Sequence, residues 1–561
     1  MSTEIQSEPD TYDGVLTPET TADQTAVFVR LEKNLRDDAA LARRRKLLRR
    51  VFGKTNKSPF GWALGVASEK NSPQKLIQRA HRQFWNAKSV AKGTAKKLQQ
   101  HCAMLASAED LLGSIAMLVY DCDMTVQVPE VLQPDDPSLQ FQLQNVELQI
   151  WNGLNTGADA ELELVDALEE LTQQMFDGDG WPEAGFFHEF GLLAASWLRC
   201  AKLFDHLGIA LDAGTESRFD WLTRQLIRST RYDGSLFFDE QNAGINCRSF
   251  AKSLADYSLD RSVKKLLLCR SGDAAKSKSK SIRNLPAPSS VSEWAQTSVL
   301  RSAWAPGSPA VASLFGQSKI ELELANKFTV IAGNCTPTVW IDGELQQPCS
   351  EICVTCELEF DDVDILELEL DYGQWKLQRQ LVMLRDGLVL ITDNVLGEQP
   401  ARIEYRCEFP LATATQAVEE GSTTEMYIKR GASYCLVLPL ALPEWQAQRT
   451  EDRFLAQDGR LVLTQSIDGQ CLAAPLLFDL KPKRSVKPRT WRQLTVAENL
   501  EIVPNDVAVA YRAQIGKQQW IFYRSLARNG NRTFLGENVV NQFCVGKIDR
   551  NGYVHLLAEV E

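Results

Sequence analysis

The segment GWPEAGFFHEF (180–190) places His188 directly after two aromatic residues, in a chain of 561 residues that contains only five histidines. An imidazole exchanges a proton near neutral pH, so a histidine in a turn is a candidate general acid or base. The other four histidines fit helix surfaces, a helix end or a strand. His188 is therefore the residue around which the sequence predicts a site.

Two short motifs have spacings that are found in metal or redox sites. DGDGW (177–181) lacks the further oxygen ligands and the closing glutamate of a calcium-binding loop, so it predicts a turn that ends a helix. CVTC (353–356) lies in an alternating strand pattern that directs its two thiols to opposite faces. The sequence also contains no glycine-rich phosphate loop. We expect no metal site and no cofactor.

The apolar spacing divides the chain into a helical half and a β half. Residues 1–24 are polar and predicted to be disordered. From 25 to 270, apolar residues recur at intervals of three and four, as in LVDALEELTQQMF, which predicts amphipathic helices. The segment 271–290 is rich in serine, lysine and proline and is predicted to be a linker. From 291 to 561 the period is two, which predicts a large antiparallel β-sandwich.

The alternation is clearest in two predicted strands. In SKIELELANKF, Glu321 and Glu323 alternate with apolar residues, and in DILELELDY, Glu367 and Glu369 do the same. Successive side chains of a strand point to opposite faces of a sheet. The pattern therefore predicts that one face of each strand, the one carrying the glutamates, is exposed to solvent.

Composition excludes several classes of protein. The hydrophobic content of 44% and the charged content of 24% are typical of a globular protein. No apolar run approaches the roughly 20 residues that cross a bilayer, so we expect no membrane span. The formal net charge of −12 argues against general binding of nucleic acid. A basic run, LARRRKLLRRVFGK (41–54), fits either the solvated face of a helix or a patch for an anionic polymer.

The two remaining compositional signals concern location and cysteine chemistry. The N-terminus is polar and acidic and lacks the apolar stretch of a secretory signal, which predicts a cytoplasmic protein, or a periplasmic one if the start is misassigned. The thirteen cysteines are an odd number scattered through apolar segments. They are predicted to be buried free thiols rather than a disulfide framework.

Four segments, in their order along the chain, resemble the heparinase II/III-like polysaccharide lyases. LVDALEELTQQMFDGDGWPEAGFFHEFGLLAASWLRCAKLF (164–204) is similar to their active-site turn between two helices, and RYDGSLFFDEQNAG (231–244) to a later turn of the same domain. SVLRSAWAPGSPAVASLF (298–315) and RQLVMLRDGLVLITDNVLGE (379–398) are similar to paired strands of their β-sandwich. The resemblance covers roughly residues 160–410. It implies an incomplete α/α toroid followed by a large antiparallel β-sandwich.

The resemblance implies β-elimination on polysaccharides that contain uronic acids, catalysed by a carbon–oxygen lyase. Such a site needs a tyrosine or histidine as base and an asparagine, histidine or arginine on the substrate carboxylate. Phe187 stands where the family has its tyrosine, and His188 where it has a histidine. FGQSK (315–319), VIAGN (330–334) and TPTVWIDG (336–343) lack the histidines and aspartates of the corresponding family motifs. The resemblance therefore implies a degenerate or remodelled active site.

A remodelled site is predicted to use residues in or near turns of the helical half. The predicted catalytic residues are His188, Tyr232 and Asn246, and the predicted substrate-binding residues are Glu183, Asn242 and Arg248. The predicted partner is an acidic polysaccharide or oligosaccharide. The alternative is a non-catalytic glycan-binding protein or a protein scaffold.

Overall fold

The computed structural model describes residues 161–207, 209–238, 254, 257–271, 285–316, 318–528 and 530–561. The chain divides into two compact units, one comprising Met1–Thr172 with Leu192–Ala213 and the other Gln173–Gly191 with Gly214–Glu561. The described part is mostly β-sheet. The predicted disordered start, the basic run and most of the predicted helical half lie outside the described residues. The toroid and the domain boundaries therefore stay predictions.

Among the described residues, four helices and one short 3-10 turn precede the strands. They are α1 Glu161–Met175, the 3-10 turn Ala184–Glu189, α2 Phe190–Leu207, α3 Ala213–Arg228 and α4 Arg261–Ser271. No helix in the described part of the chain has the length and apolar character needed to cross a bilayer.

The DGDGW segment forms the turn after α1, as the sequence predicts. Asp177 Oδ1 accepts hydrogen bonds from the backbone N–H groups of Asp179 (2.9 Å) and Trp181 (2.8 Å). Gly180 adopts a φ of +79°, and an added Cβ would lie 2.1 Å from the backbone nitrogen of Leu222. Only glycine allows this close approach of the turn to α3. The turn thereby directs the chain into the segment that carries His188.

The first antiparallel sheet has five strands, which follow one another in space as they do in sequence. They are β1 Ser290–Ser292, β2 Thr297–Arg301, β3 Ala310–Leu314, β4 Glu321–Ala325 and β5 Thr329–Asn334.

The second sheet is the largest, with eleven antiparallel strands. They are β6 Thr338–Ile341, β7 Glu344–Leu345, β8 Cys353–Glu359, β9 Val363–Tyr372, β10 Trp375–Leu384, β11 Leu388–Pro410, β12 Gln416–Glu419, β13 Met426–Arg430, β14 Ser433–Pro439, β15 Arg453–Gln457 and β16 Arg460–Asp479. The main path runs β12-β13-β14-β16-β11-β10-β9-β8. The long β11 pairs with β10 and β16 and also with β6, so it joins the parts of this sheet.

The rest of the chain adds a short helix and two smaller sheets. The elements are α5 Pro482–Ser485, β17 Arg489–Leu494, β18 Ala497–Glu498, β19 Glu501–Ile502, β20 Ala508–Ile515, β21 Gln518–Ser525, β22 Arg532–Phe534, β23 Glu537–Val539, β24 Phe543–Ile548 and β25 Val554–Val560. The third sheet has the order β17-β20-β21-β24-β25, and the fourth has the order β19-β18-β22-β23.

The eleven-stranded sheet is buried on both faces. Leu366, Leu368 and Ile391 on one face of this sheet pack with Leu322 and Val330 of the first sheet. Ile365 and Leu390 on the other face pack with side chains of the third sheet, which include Trp491, Tyr511 and Trp520. A smaller apolar layer joins the third and fourth sheets. The β half is therefore a stack of antiparallel sheets.

The contacts of two glutamates correct their predicted exposure to solvent. Glu323 and Glu367 are 0% and 4% exposed. The segment that carries Arg231 and Phe238 covers Glu323, and the third sheet covers Glu367. Each forms an ion pair, Glu323 with Arg231 and Glu367 with Arg524. The alternation identified the strands correctly, since β4 and β9 form there. The alternation shows that the two faces of each strand differ in polarity. In the folded protein, other parts of the chain cover both faces at Glu323 and Glu367.

The ten described cysteines are all free thiols, and seven of them are buried. This part of the chain therefore has no disulfide framework, as the sequence predicts. Cys353 and Cys356 lie on the edge strand β8, where exposure alternates along the strand.

Candidate functional site

His188 lies on the 3-10 turn that leads into α2. Its side chain is 51% exposed, whereas the preceding Phe187 is buried. The tight turn points these neighbours in different directions, one to solvent and one to the core. The Phe187 ring lies 6.0, 5.7 and 5.7 Å from the ring centroids of Trp181, Phe190 and Phe238.

The hydrogen bond at Nδ1 fixes the tautomer of His188. Nδ1 lies 2.8 Å from the carbonyl oxygen of Phe238. A carbonyl oxygen only accepts, so Nδ1 carries the hydrogen of the neutral ring and Nε2 keeps its lone pair. Nε2 lies 4.0 Å from Glu321 Oε2. The imidazole is thus oriented as a base at Nε2, with the Glu321 carboxylate on the same side of the ring.

Glu321 and Asn334 share one face at the end of the first sheet. They are paired in register between β4 and β5, and residues directly opposite in antiparallel strands project from the same face. Asn334 Oδ1 accepts hydrogen bonds from the backbone N–H (2.9 Å) and the hydroxyl (2.7 Å) of Thr336. These bonds turn the amide N–H groups of Asn334 away from Thr336. We call His188, Glu321 and Asn334 the His188 cluster.

A buried carboxylate lies behind the His188 cluster. Two nitrogens of Arg231 donate hydrogen bonds to the Glu323 carboxylate. They are Nε and Nη2, and the bond from Nη2 is 2.7 Å long. The carboxylate also accepts one from the backbone N–H of Phe238, over 2.7 Å. Phe238 adopts a φ of +59°, which a bulky L-residue rarely does. The same residue thus donates its N–H to Glu323 and presents its carbonyl to His188.

Three of the six predicted site residues, His188, Glu183 and Tyr232, lie in the described part of the chain. Glu183 is exposed just before the 3-10 turn, and its side chain makes no capping hydrogen bond. Tyr232 packs with Lys327 around Gly307, beyond the far end of β4 from Glu321. The remaining predicted residues, Asn242, Asn246 and Arg248, lie outside the described residues.

Glu321, Glu323 and Asn334 were not predicted to belong to a site. Glu321 and Asn334 lie in or beside the segments FGQSK and VIAGN, which the resemblance marks as places where family ligands are missing. A carboxylate and an amide in those segments are the signal that could have identified them. Glu323 gave no such signal, because its alternation with leucines predicted exposure to solvent.

A second polar cluster is buried within the β half. Arg379 on β10 pairs with Asp393 on β11, and its Nη1 donates to the carbonyl oxygen of Cys335 at 2.7 Å. Tyr405 donates its hydroxyl hydrogen to Asp393. Burial, and then the charge of Asp393, raise the pKa of Tyr372 to about 12. We call Arg379, Asp393, Tyr405 and Tyr372 the Arg379 cluster.

Comparison of the sequence with family models and with curated proteins gives no match. Solved structures do match. Heparinase III, the BT4657 gene product, gives a TM-score of 0.54 at 10% identity, over 89% of this chain and 83% of that one. Another heparinase III structure gives 0.51 at 12% identity, over 75% and 74% of the two chains. The chain has a polysaccharide-lyase fold.

Heparan sulfate lyase HepC from Pedobacter heparinus also matches, with a TM-score of 0.49 at 11% identity, over 83% of this chain and 81% of that one. Identities this low establish the polysaccharide-lyase fold only, since one fold supports many functions. The chemistry of this chain must therefore be argued from its own His188 cluster.

Proposed function

We propose that this chain binds an acidic polysaccharide and removes a proton from it at His188, in a remodelled lyase site. The main support is the orientation of the imidazole. Its Nδ1 is bonded to the Phe238 carbonyl, and its Nε2 has no hydrogen-bond partner among the described residues. The solved structures that share this fold at TM-scores of 0.54 and 0.51 are both heparinase III. Their substrates suggest the substrate class, and His188 supplies the base that such chemistry needs.

The proposed reaction is β-elimination next to a uronate carboxylate. His188 Nε2 takes the proton from the carbon beside the carboxylate, the electron pair forms a carbon–carbon double bond, and the glycosidic bond breaks. The imidazolium then returns the proton to the leaving oxygen. The amide N–H groups of Asn334 are suited to donate to the substrate carboxylate, which makes the proton more acidic. Glu321 lies beside the imidazolium between the two proton transfers.

An exposed tryptophan supports binding of a sugar chain near this site. Trp294 is 53% exposed in the turn between β1 and β2. In the same turn, Gln296 packs on Gly316, and Ala184 of the 3-10 turn approaches Gly316 from the same direction. An exposed aromatic face with a polar N–H provides a stacking surface for a sugar ring. Trp294 is therefore the proposed contact for a neighbouring sugar.

A second candidate function is non-catalytic binding of the same polysaccharide. The observation that favours it is Glu321, whose negative charge lies 4.0 Å from the imidazole and would repel a substrate carboxylate. Phe187 adds to this, since its phenyl ring cannot exchange a proton. This candidate keeps the fold and the stacking surface but assigns no turnover.

The test is incubation of the full chain with heparan sulfate, heparin, chondroitin sulfate, hyaluronan and alginate, measuring the ultraviolet absorbance of the unsaturated uronate product. Wild-type protein is expected to form product from at least one polymer. His188→Gln is expected to lower the rate about 100-fold or more, because a positioned base contributes about 10²–10⁴-fold.

The matched control is His555→Gln. His555 is also exposed and also faces a carboxylate, Asp549, at 3.3 Å, but it lies on β25. Its loss is expected to leave the rate unchanged. Saturable binding without product would replace the proposed reaction with the second candidate. Equal product from wild type and His188→Gln would remove His188 from the mechanism.

A further inference from the structure

We infer that Glu323, which does not contact His188, is the positioning residue that sets the tautomer of His188 through the backbone of Phe238. The inference rests on the proposed function only for its effect on catalysis. The connection is a chain of three contacts: Arg231 to Glu323, Glu323 to the Phe238 N–H, and the Phe238 carbonyl to His188 Nδ1.

The first link is a fully buried ion pair. Glu323 is 0% exposed, and an ionised carboxylate without water needs several hydrogen-bond donors. The guanidinium of Arg231 supplies two of them, and the Phe238 N–H supplies a third. Bonds to a charged acceptor are stronger than neutral ones. The carboxylate therefore holds the Phe238 N–H more firmly than a neutral side chain would.

The second link is the unusual backbone of Phe238. Its φ of +59° lies in the left-handed region, which is unfavourable for an L-residue with a side chain. Such a conformation persists only where its surroundings enforce it. Glu323 holds the N–H of Phe238, and the side chain packs edge-on against Phe187 at 5.7 Å. Without the carboxylate, Phe238 is expected to relax to a negative φ, which rotates its carbonyl away from His188.

The rest of the turn has its own anchors, so the effect stays local. Phe237 N–H donates to the Ser229 carbonyl, and Arg301 donates to the carbonyls of Arg228 and Thr230. These contacts do not involve Glu323. A variant at Glu323 is therefore expected to keep the turn and to release only Phe238 at its end.

The consequence falls on His188. Once the Phe238 carbonyl is lost, the exposed ring has no fixed acceptor at Nδ1 and samples both neutral tautomers. In the tautomer with hydrogen on Nε2, the lone pair needed for proton removal is absent. Glu323 thus controls how much of the protein carries a competent base, although it lies inside the sheet.

The experiment is 15N NMR of the full chain labelled at histidine, with the His188 signal assigned by its loss in His188→Gln. Wild type is expected to show His188 with hydrogen on Nδ1 and an unprotonated Nε2. In Glu323→Gln, His188 is expected to show averaged signals of two tautomers. On any polymer that turns over, kcat is expected to fall several-fold with KM unchanged.

The matched control is Glu367→Gln. Glu367 is similarly buried and pairs with Arg524 at 2.9 Å, but it lies on β9 facing the third sheet. This variant is expected to lose comparable stability and to leave the His188 signals unchanged. If Glu323→Gln does not fold, Arg231→Lys, which keeps the charge but loses the two-pronged bond, is expected to show a smaller shift in the same direction.

An unchanged His188 tautomer in a folded Glu323→Gln would overturn the inference. The same change in Glu367→Gln would also overturn it, because the effect would then follow from general loosening of the sheets. Absence of turnover on every polymer removes the proposed reaction and leaves the tautomer result to decide this inference alone.

Discussion

The His188 cluster and the Arg379 cluster use the same kinds of groups under opposite conditions. In each, a carboxylate stands beside a nitrogen base or cation, and backbone carbonyls fix the orientation. The His188 side chain is half exposed, whereas Arg379, Asp393 and Tyr405 are between 0% and 2% exposed. Water and a polysaccharide can reach only the first. Exposure, rather than residue type, separates a candidate site from a structural one.

The difference also determines what each cluster contributes to stability. An exposed imidazole 4.0 Å from a carboxylate gains little, because water screens the pair. A buried pair is costly to break, because removing one partner leaves the other charged and without water. The comparison therefore predicts large stability effects at the Arg379 cluster and chemical effects at the His188 cluster.

Asp393→Ala is expected to have the largest effect on stability. It leaves the Arg379 guanidinium buried and without its carboxylate, which typically costs about 3–5 kcal/mol. The measurement is urea denaturation followed by tryptophan fluorescence, compared with wild type. Glu451→Ala is the control, since it removes an exposed carboxylate beside Arg402 and is expected to leave stability nearly unchanged. Equal losses in the two variants would contradict the comparison.

High pH is expected to destabilise the Arg379 cluster next. Tyr372 has a folded pKa of about 12, raised by burial and by Asp393 from its ordinary 10.0. Between these values the folded protein keeps a proton that the unfolded chain has lost. The contribution of the protonated Tyr372 hydroxyl to the free energy of unfolding is therefore complete below pH 10. It is lost as the pH rises toward 12, at about 1.4 kcal/mol per pH unit.

Tyr372→Phe tests this pH dependence directly. The Tyr372 hydroxyl is buried and has no hydrogen-bond partner among the described residues, so its removal is expected to leave stability at pH 7 unchanged or higher. In urea denaturation between pH 9 and 11, the variant is expected to lose less stability than wild type. An identical pH dependence would show that Tyr372 does not carry the effect.

The strands of the β half were largely predictable because strand periodicity is local. The alternation in SKIELELANKF and DILELELDY marks β4 and β9 within a residue or two. What covers each face is not local information. Glu323 meets Arg231, 92 residues earlier, and Glu367 meets Arg524, 157 residues later, so both glutamates are buried against the prediction.

Of the residues in the candidate site, only His188 could be predicted from the sequence. His188 follows from its type and its turn, but its tautomer depends on Phe238, 50 residues away. Its carboxylate neighbour, Glu321, is on a strand that the sequence predicted correctly without indicating which residue it would face. Contacts between a helix-end turn and the end of a sheet produce no periodic pattern in the sequence. The partners of His188 could therefore not be predicted from such a pattern.

Phe187→Tyr sharpens the comparison by restoring the hydroxyl that the resemblance marks as missing. Phe187 is 1% exposed and surrounded by aromatic rings, so the new hydroxyl enters an apolar space without an evident partner. We expect a loss of about 1–3 kcal/mol in the free energy of unfolding and no gain of unsaturated product. Phe186→Tyr is the control, because Phe186 is partly exposed and its hydroxyl can reach water. A gain of product in Phe187→Tyr would show that position 187 faces the substrate, and would place the reactive centre inside the ring cluster rather than at the open Nε2 of His188.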